Sequence, residues 1–149
     1  MNRSSEGVFF FTGKDFANAG VASSNLKKIL ENMRVQPDII RRAAIAAFEA
    51  EVNVIIYAVA GMMHYSITQD MIKVVVKDMG PGIPNIELAM KEGYSTAPDY
   101  IREMGFGSGM GLPNIKKNAD KLNINSVVGE GTTLEFIINI DKIFYNSGY

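Results

Sequence analysis

The sequence predicts an α+β two-layer sandwich, with helices covering one face of a mainly antiparallel sheet. Two observations carry this. The residue patterns run strand, two helices, two strands, short helix, loop, helix, two strands. The strand patterns also come as near neighbours parted only by turn residues, Gln69-Asp70 in one case and Gly129-Glu130-Gly131 in the other. Such short links suit antiparallel neighbours better than crossovers.

Residues 8–12 are apolar and aromatic between glycines and read as a strand. Asp15 is placed to cap a helix running through Phe16, Ala19, Leu26, Ile29 and Leu30 to about Met33, although Gly20 and Ser23-Ser24-Asn25 weaken its middle. Pro37 and Asp38 open a stronger helix, in which Ile39, Ile40, Ala43, Ala47, Phe48, Val54, Ile55 and Ala58 recur at three- and four-residue spacing. Gly61 is its expected stop. Residues 63–68 and 71–77 read as the two strands of a hairpin, and residues 84–93 as a short helix carrying Ile86, Leu88 and Met90. Residues 94–104 lack a period, and residues 105–111 hold four glycines. Long irregular stretches in compact domains are more often functional than idle. Pro113 begins a last helix through Ile115, Ala119 and Leu122, before strands at 124–128 and 132–140.

With 149 residues, 47% of them hydrophobic and 21% charged, the chain has the composition of one globular domain spanning residues 1–149. A net charge of −1 without long runs of one sign offers no electrostatic footprint for nucleic acid or a membrane surface. The absence of cysteine excludes disulfides, thiolate catalysis and cysteine-ligated zinc. A single histidine, His64, excludes a histidine-rich metal site; it lies in a strand pattern outside any motif and reads as structural. The polar N-terminus does not resemble a leader, and no segment approaches the ~20 apolar residues of a membrane span, so a cytoplasmic protein is expected. The nine methionines read as gap-fillers in the packing.

Three stretches carry chemistry. In K-D-M-G-P-G-I-P-N, residues 77–85, Asp78 stands at a strand end, and Gly80 and Gly82 leave no side-chain bulk in front of it. A carboxylate beside bare backbone can accept a hydrogen bond from the amino group of a flat heterocycle such as adenine; a tight turn with a solvated aspartate is the other reading. Glu49 and Asn53 lie one helical turn apart and point together. Such a pair can hold Mg²⁺ through oxygen and take a proton from a hydroxyl, or it can be merely solvated at the edge of the buried face. The third stretch, G-F-G-S-G-M-G at 105–111, precedes a helix, whose exposed N–H groups and dipole suit phosphate. It matches neither the P-loop nor the dinucleotide fingerprint, and a flexible loop without phosphate is its alternative.

Glu49-x-x-x-Asn53, Asp78-x-Gly80-x-Gly82, the glycine lid and Gly131-Thr132-Thr133 come in the order of the N, G1 and G2 boxes and final threonine of the Bergerat-fold ATPases. The chain resembles that superfamily, which includes DNA gyrase and the histidine kinases, over about residues 8–140. Within it, the chain is similar to the bacterial serine/threonine kinases that control sigma factors by partner switching, above all the stressosome switch kinase. The likeness rests on D-M-G-P-G-I-P-N-I, E-G-Y-S-T, G-M-G-L-P-N-I-K-K and S-V-V-G-E-G-T. Tyr57 stands where anti-sigma kinases commonly show histidine. The lid at 97–105 is longer than in switch kinases and, with Thr96 and Pro98, leans toward anti-sigma kinases.

The resemblance implies that Asp78 binds the adenine amino group, assisted through water by Thr132 or Thr133. It implies that Asn53 coordinates Mg²⁺ and that Glu49 is the general base toward a serine or threonine hydroxyl. Gly80, Gly82, Ile83, Thr96, Gly107, Gly109, Met110, Gly111 and Leu112 would complete the ATP site. Arg102 is a phosphate-contact candidate only by lying in the lid, and otherwise reads as solvated. The implied activity is phosphorylation of a STAS-domain protein of the anti-anti-sigma type, with partner binding that depends on nucleotide and a homodimer as one assembly. The alternative is a nucleotide-gated binding module that sequesters a sigma factor or activates a phosphatase with little transfer. A hydrolase ranks third.

Overall fold

The computed structural model describes residues 4–140. Five strands form one sheet: β1 (Ser5–Thr12), β2 (Ala60–Ile67), β3 (Met71–Asp78), β4 (Lys121–Val127) and β5 (Gly131–Asn139). Their order is β1-β2-β3-β5-β4, and every neighbouring pair is antiparallel. Both expected hairpins form, β2 with β3 and β4 with β5. The helices are α1 (Val21–Asn32), α2 (Pro37–Tyr57), α3 (Ile86–Ala89), α4 (Asp99–Glu103) and α5 (Gly111–Asn118).

Alternation along the strands decides which face is covered. Met63, Ile67, Ile72, Val74, Phe136 and Ile138 point to one side and are fully buried. They share a core with Leu26 and Leu30 of α1, Ala43, Ala47 and Val54 of α2, and Ile115 of α5. The opposite face carries Phe10, Lys73 and Lys77, all exposed, together with Glu135. The α+β sandwich with helices on one face is therefore borne out. His64 lies on that open face, where Nε2 meets Glu6 Oε1 at 3.2 Å.

Four element boundaries differ from expectation. Asp15 does not cap a continuous helix: its carboxylate takes the side-chain amide of Asn18 at 2.9 and 3.0 Å around a single turn at Phe16–Asn18. Gly20 then adopts φ +98°, and α1 begins only at Val21. The second helix ends at Tyr57, ahead of Gly61, because Val59 and Ala60 are drawn into backbone bonds with Met79 and Gly61 into strand pairing with Phe11 and Asp78. Its free end is closed by the loop after β1, where the Gly13 N–H donates to Val59 O and the Lys14 N–H to Ile55 O. The short helix expected at 84–93 is one turn long, with Asn85 Oδ1 accepting the Leu88 N–H. The last helix starts at Gly111 and stops at Asn118, so Leu122 belongs to β4.

The stretch without a period, 94–104, contains the short helix α4, and it packs where no sheet lies. Ala97 and Ile101 are buried against Val52 and Ile56 of α2, with Phe16, Ala19, Phe48 and Phe106 around them. This second cluster explains why α2 is apolar on more than its sheet-facing side: the lid covers the remainder. Among the described residues no helix is long and apolar enough to cross a membrane.

Candidate functional site

A cavity of 480 Å³ opens between α2, the ends of β3 and β5, the loop after β3 and the lid. Helical spacing sets one wall. Glu49, Asn53 and Tyr57 are successive turns of α2, and all three line it. The floor is apolar, with Val76, Ile83, Leu88, Ala89 and Leu134 among its lining residues.

Asp78 is the polar group set in that floor. Its Oδ1 accepts the Thr132 N–H at 3.1 Å, and the Gly80 N–H also donates to it. Burial pushes the carboxyl above its ordinary 3.8, and the two N–H donors pull it partly back. Thr132 Oγ1 in turn meets Ser126 Oγ at 2.8 Å, and Ser126 Oγ accepts the Ile83 N–H at 2.7 Å. One hydroxyl pair thus ties β4 and β5 to the loop after β3.

The glycines hold this shape where side chains could not. At Gly82, φ is +77°, and a Cβ would stand 2.5 Å from the Val127 carbonyl oxygen. The lid folds back in the same manner: the Gly93 N–H donates to Gly109 O at 3.0 Å, and Ser95 Oγ donates to Gly107 O at 2.6 Å. Gly111 has a different task. A Cβ there would lie 3.6 Å from Asn53 Oδ1 and 3.8 Å from Glu49 Oε2, so its absence keeps open the space in front of both side chains. That space faces the first turn of α5, where the Gly111 and Leu112 N–H groups come ahead of the first intrahelical bond, from the Asn114 N–H to Met110 O.

Of the residues named from the sequence, Glu49, Asn53, Asp78, Gly82, Ile83, Thr96, Gly107, Gly109, Gly111, Leu112 and Thr132 line the cavity. Three do not. Thr133 sits one residue from Thr132 and so points to the other face of the sheet, paired with Lys77 and Asn125. Gly80 lies behind Asp78, where a Cβ would press on Asp78 Oδ1 at 2.9 Å. Met110 contributes backbone, its carbonyl accepting the Asn114 N–H at 2.8 Å as α5 begins. Arg102 is turned to the lid itself, donating to Ser95 O at 3.0 Å.

Two polar residues escaped sequence reasoning. Glu51 is 1% exposed, and its carboxylate accepts the N–H groups of Gly20, Ala22 and Ser23 at 3.0, 3.3 and 3.0 Å. It supplies the cap that Asp15 does not, fastening the start of α1 to α2. Its one signal was a charge inside an apolar helix, which shows a need for partners without naming them. Asn114 donates through Nδ2 to Glu49 Oε2 at 3.0 Å.

The chain matches the family described as histidine kinase-like ATPase domain over residues 14–138. It is 35% identical over 100 residues to the serine/threonine-protein kinase RsbT of Bacillus subtilis (strain 168), covering 64% of this chain and 69% of that protein. It is 29% identical over 117 residues to the anti-sigma F factor of Anoxybacillus flavithermus, covering 78% and 73%. With the anti-sigma F factor of Priestia megaterium the identity is 28% over 127 residues, covering 81% and 80%. The superfamily resemblance drawn from the ordered motifs is borne out.

Proposed function

Since the chain belongs to the histidine kinase-like ATPase family, we propose that it is an ATP-dependent protein serine/threonine kinase of a partner-switching system. The acceptor is a serine or threonine of a STAS-domain protein of the anti-anti-sigma type. One observation carries the reading: Glu49 and Asn53 share a wall of the cavity, opposite an α5 N-terminus whose first residue, Gly111, has no side chain to fill the gap.

The residues fit the ligand. Asp78 offers a carboxylate oxygen to an amino group at the apolar end of the cavity, where Val76, Ile83 and Leu134 suit a flat ring. Gly107, Gly109 and the first turn of α5 offer backbone N–H groups to phosphate. Asn53 would supply a neutral oxygen to Mg²⁺. Among the described residues no group of three or more histidine, aspartate or glutamate side chains could hold an ion. Phosphate oxygens and water would supply further ligands, as is usual for this ion. Bound Mg-ATP supplies the transferable phosphoryl group and neutralises charge as it moves. Glu49 takes the proton of the acceptor hydroxyl as that oxygen bonds to the γ-phosphorus and the bond to the departing ADP breaks.

Two measurements test this. Calorimetry should show magnesium-dependent ATP binding by the wild type and none by Asp78→Asn. A labelled transfer assay onto a STAS-domain protein should then show Glu49→Ala binding ATP normally while losing transfer by about 100-fold or more. No binding by the wild type, at concentrations that reveal ~100 μM affinity or ~5 kcal/mol, would sink the reading. Binding without transfer by the wild type would leave a nucleotide-gated binding module in its place.

A further inference from the structure

Glu49 has three side-chain torsions and stands half-buried at the edge of an open cavity, so position on α2 alone does not aim its oxygens. What aims them is a contact from another helix. Asn114 Nδ2 donates to Glu49 Oε2 at 3.0 Å. A carboxylate only accepts, so the amide must present its NH₂ group there, which settles its orientation. Asn114 is itself held. Its backbone N–H bonds Met110 O at 2.8 Å, and its carbonyl accepts Asn118 Nδ2 at 2.8 Å. The next link returns to α2, where Arg42 Nε donates to Asn118 O at 2.9 Å and its Nη2 meets Asp120 Oδ1 at 3.1 Å. Two polar rungs, Glu49–Asn114 and Arg42–Asn118, therefore join α2 to α5, two turns apart on α2 and one turn apart on α5.

We infer that Asn114 is a positioning residue for phosphoryl transfer, holding one oxygen of Glu49 so that the other faces the acceptor hydroxyl. This rests on the reading of Glu49 as the base. The placement has a further consequence. Asn114 lies in the first turn of α5, the same rigid element whose Gly111 end faces Asn53. The group that aims the base and the backbone that meets the phosphates thus move as one body.

The test compares Asn114→Ala and Asn114→Asp, alone and with Glu49→Ala, using labelled transfer from saturating ATP to a STAS-domain protein with an exposed acceptor serine. ATP affinity is measured alongside by calorimetry. Aspartate matches asparagine in shape and is tolerated in the first turn of a helix, so it keeps the fold and any packing role. It also sets a like charge against Glu49. The expected order is a loss in kcat of about 10-fold for alanine and about 100-fold for aspartate, with alanine leaving the ATP Kd within about twofold. Adding Asn114→Ala to Glu49→Ala should then cost nothing more. An aspartate variant as active as wild type, or losses that add to that of Glu49→Ala, would overturn the inference. If Glu49→Ala alone transfers at the wild-type rate, the base assignment has failed instead.

Discussion

Asp78 Oδ1 and the Thr132 backbone N–H, 54 residues apart in the chain, are 3.1 Å apart in the floor of the cavity. The bond joins the last residue of β3 to the start of β5 and leaves Asp78 partly desolvated. Its carboxyl is raised above the ordinary value of 3.8, first by burial, against the pull of the Thr132 and Gly80 N–H groups. A raised carboxyl favours the neutral form in the folded state. Its contribution to stability is therefore present below the unfolded value and is lost as pH rises through the folded value. Binding an amino group needs the opposite form.

Two outcomes follow for Asp78. Asparagine is neutral and keeps one oxygen for the Thr132 N–H, so Asp78→Asn should melt at or above the wild-type temperature at pH 7 while losing ATP. A drop in Tm of more than about 4 °C would contradict this. In the wild type, ATP affinity should weaken on acidification at a higher pH than an ordinary aspartate would dictate, which calorimetry between pH 4 and 7 can follow.

Gly111 separates fold from function. A Cβ there makes only ordinary contacts, 3.6 Å from Asn53 Oδ1 and 3.8 Å from Glu49 Oε2. Gly111→Ala should therefore leave Tm nearly unchanged, or raise it slightly through helix propensity. ATP binding should fall by at least about 10-fold, or ~1.4 kcal/mol, because the methyl group occupies space in front of the two side chains. Unchanged affinity would show that phosphate does not sit there.

Glu51 tests the opposite case, stability without chemistry. Glu51→Ala strips three backbone N–H groups of their acceptor at a site 1% exposed. The cost should be about 3–5 kcal/mol, seen in denaturant unfolding as a lower midpoint with an unchanged slope. A loss under ~1 kcal/mol would mean that water or another side chain replaces the carboxylate.

Phe106 anchors the lid. Its ring lies 5.4 Å from that of Phe16, tilted by 31°, beside Ala97 and Ile101 on the outer flank of α2. Phe106→Ala should loosen the lid more than the core. Proteolysis within residues 94–110 should quicken several-fold and ATP affinity should weaken, while the global Tm moves little. A large fall in Tm with no change in cleavage would place Phe106 in the main core.

The sequence by itself determined what local spacing can carry. Alternation placed the strands, three- and four-residue recurrence placed α2, and Glu49 and Asn53 share a face because they are one turn apart. Glycines at fixed offsets from Asp78 marked the turn that bares the cavity floor. What crosses the fold was not legible. Glu51 meets the start of α1 from 28 to 31 residues away, and Asn114 meets Glu49 from 65. The break at Gly20, the end of α2 at Tyr57 and the burial of the lid on Val52 and Ile56 are also long-range outcomes. In each, a local preference too weak to decide the geometry yields to partners that only the packed chain brings near. Thr132 and Thr133 show the limit most simply: a motif names both, and the pleat of one strand, fixed by its neighbours, sends only Thr132 into the site.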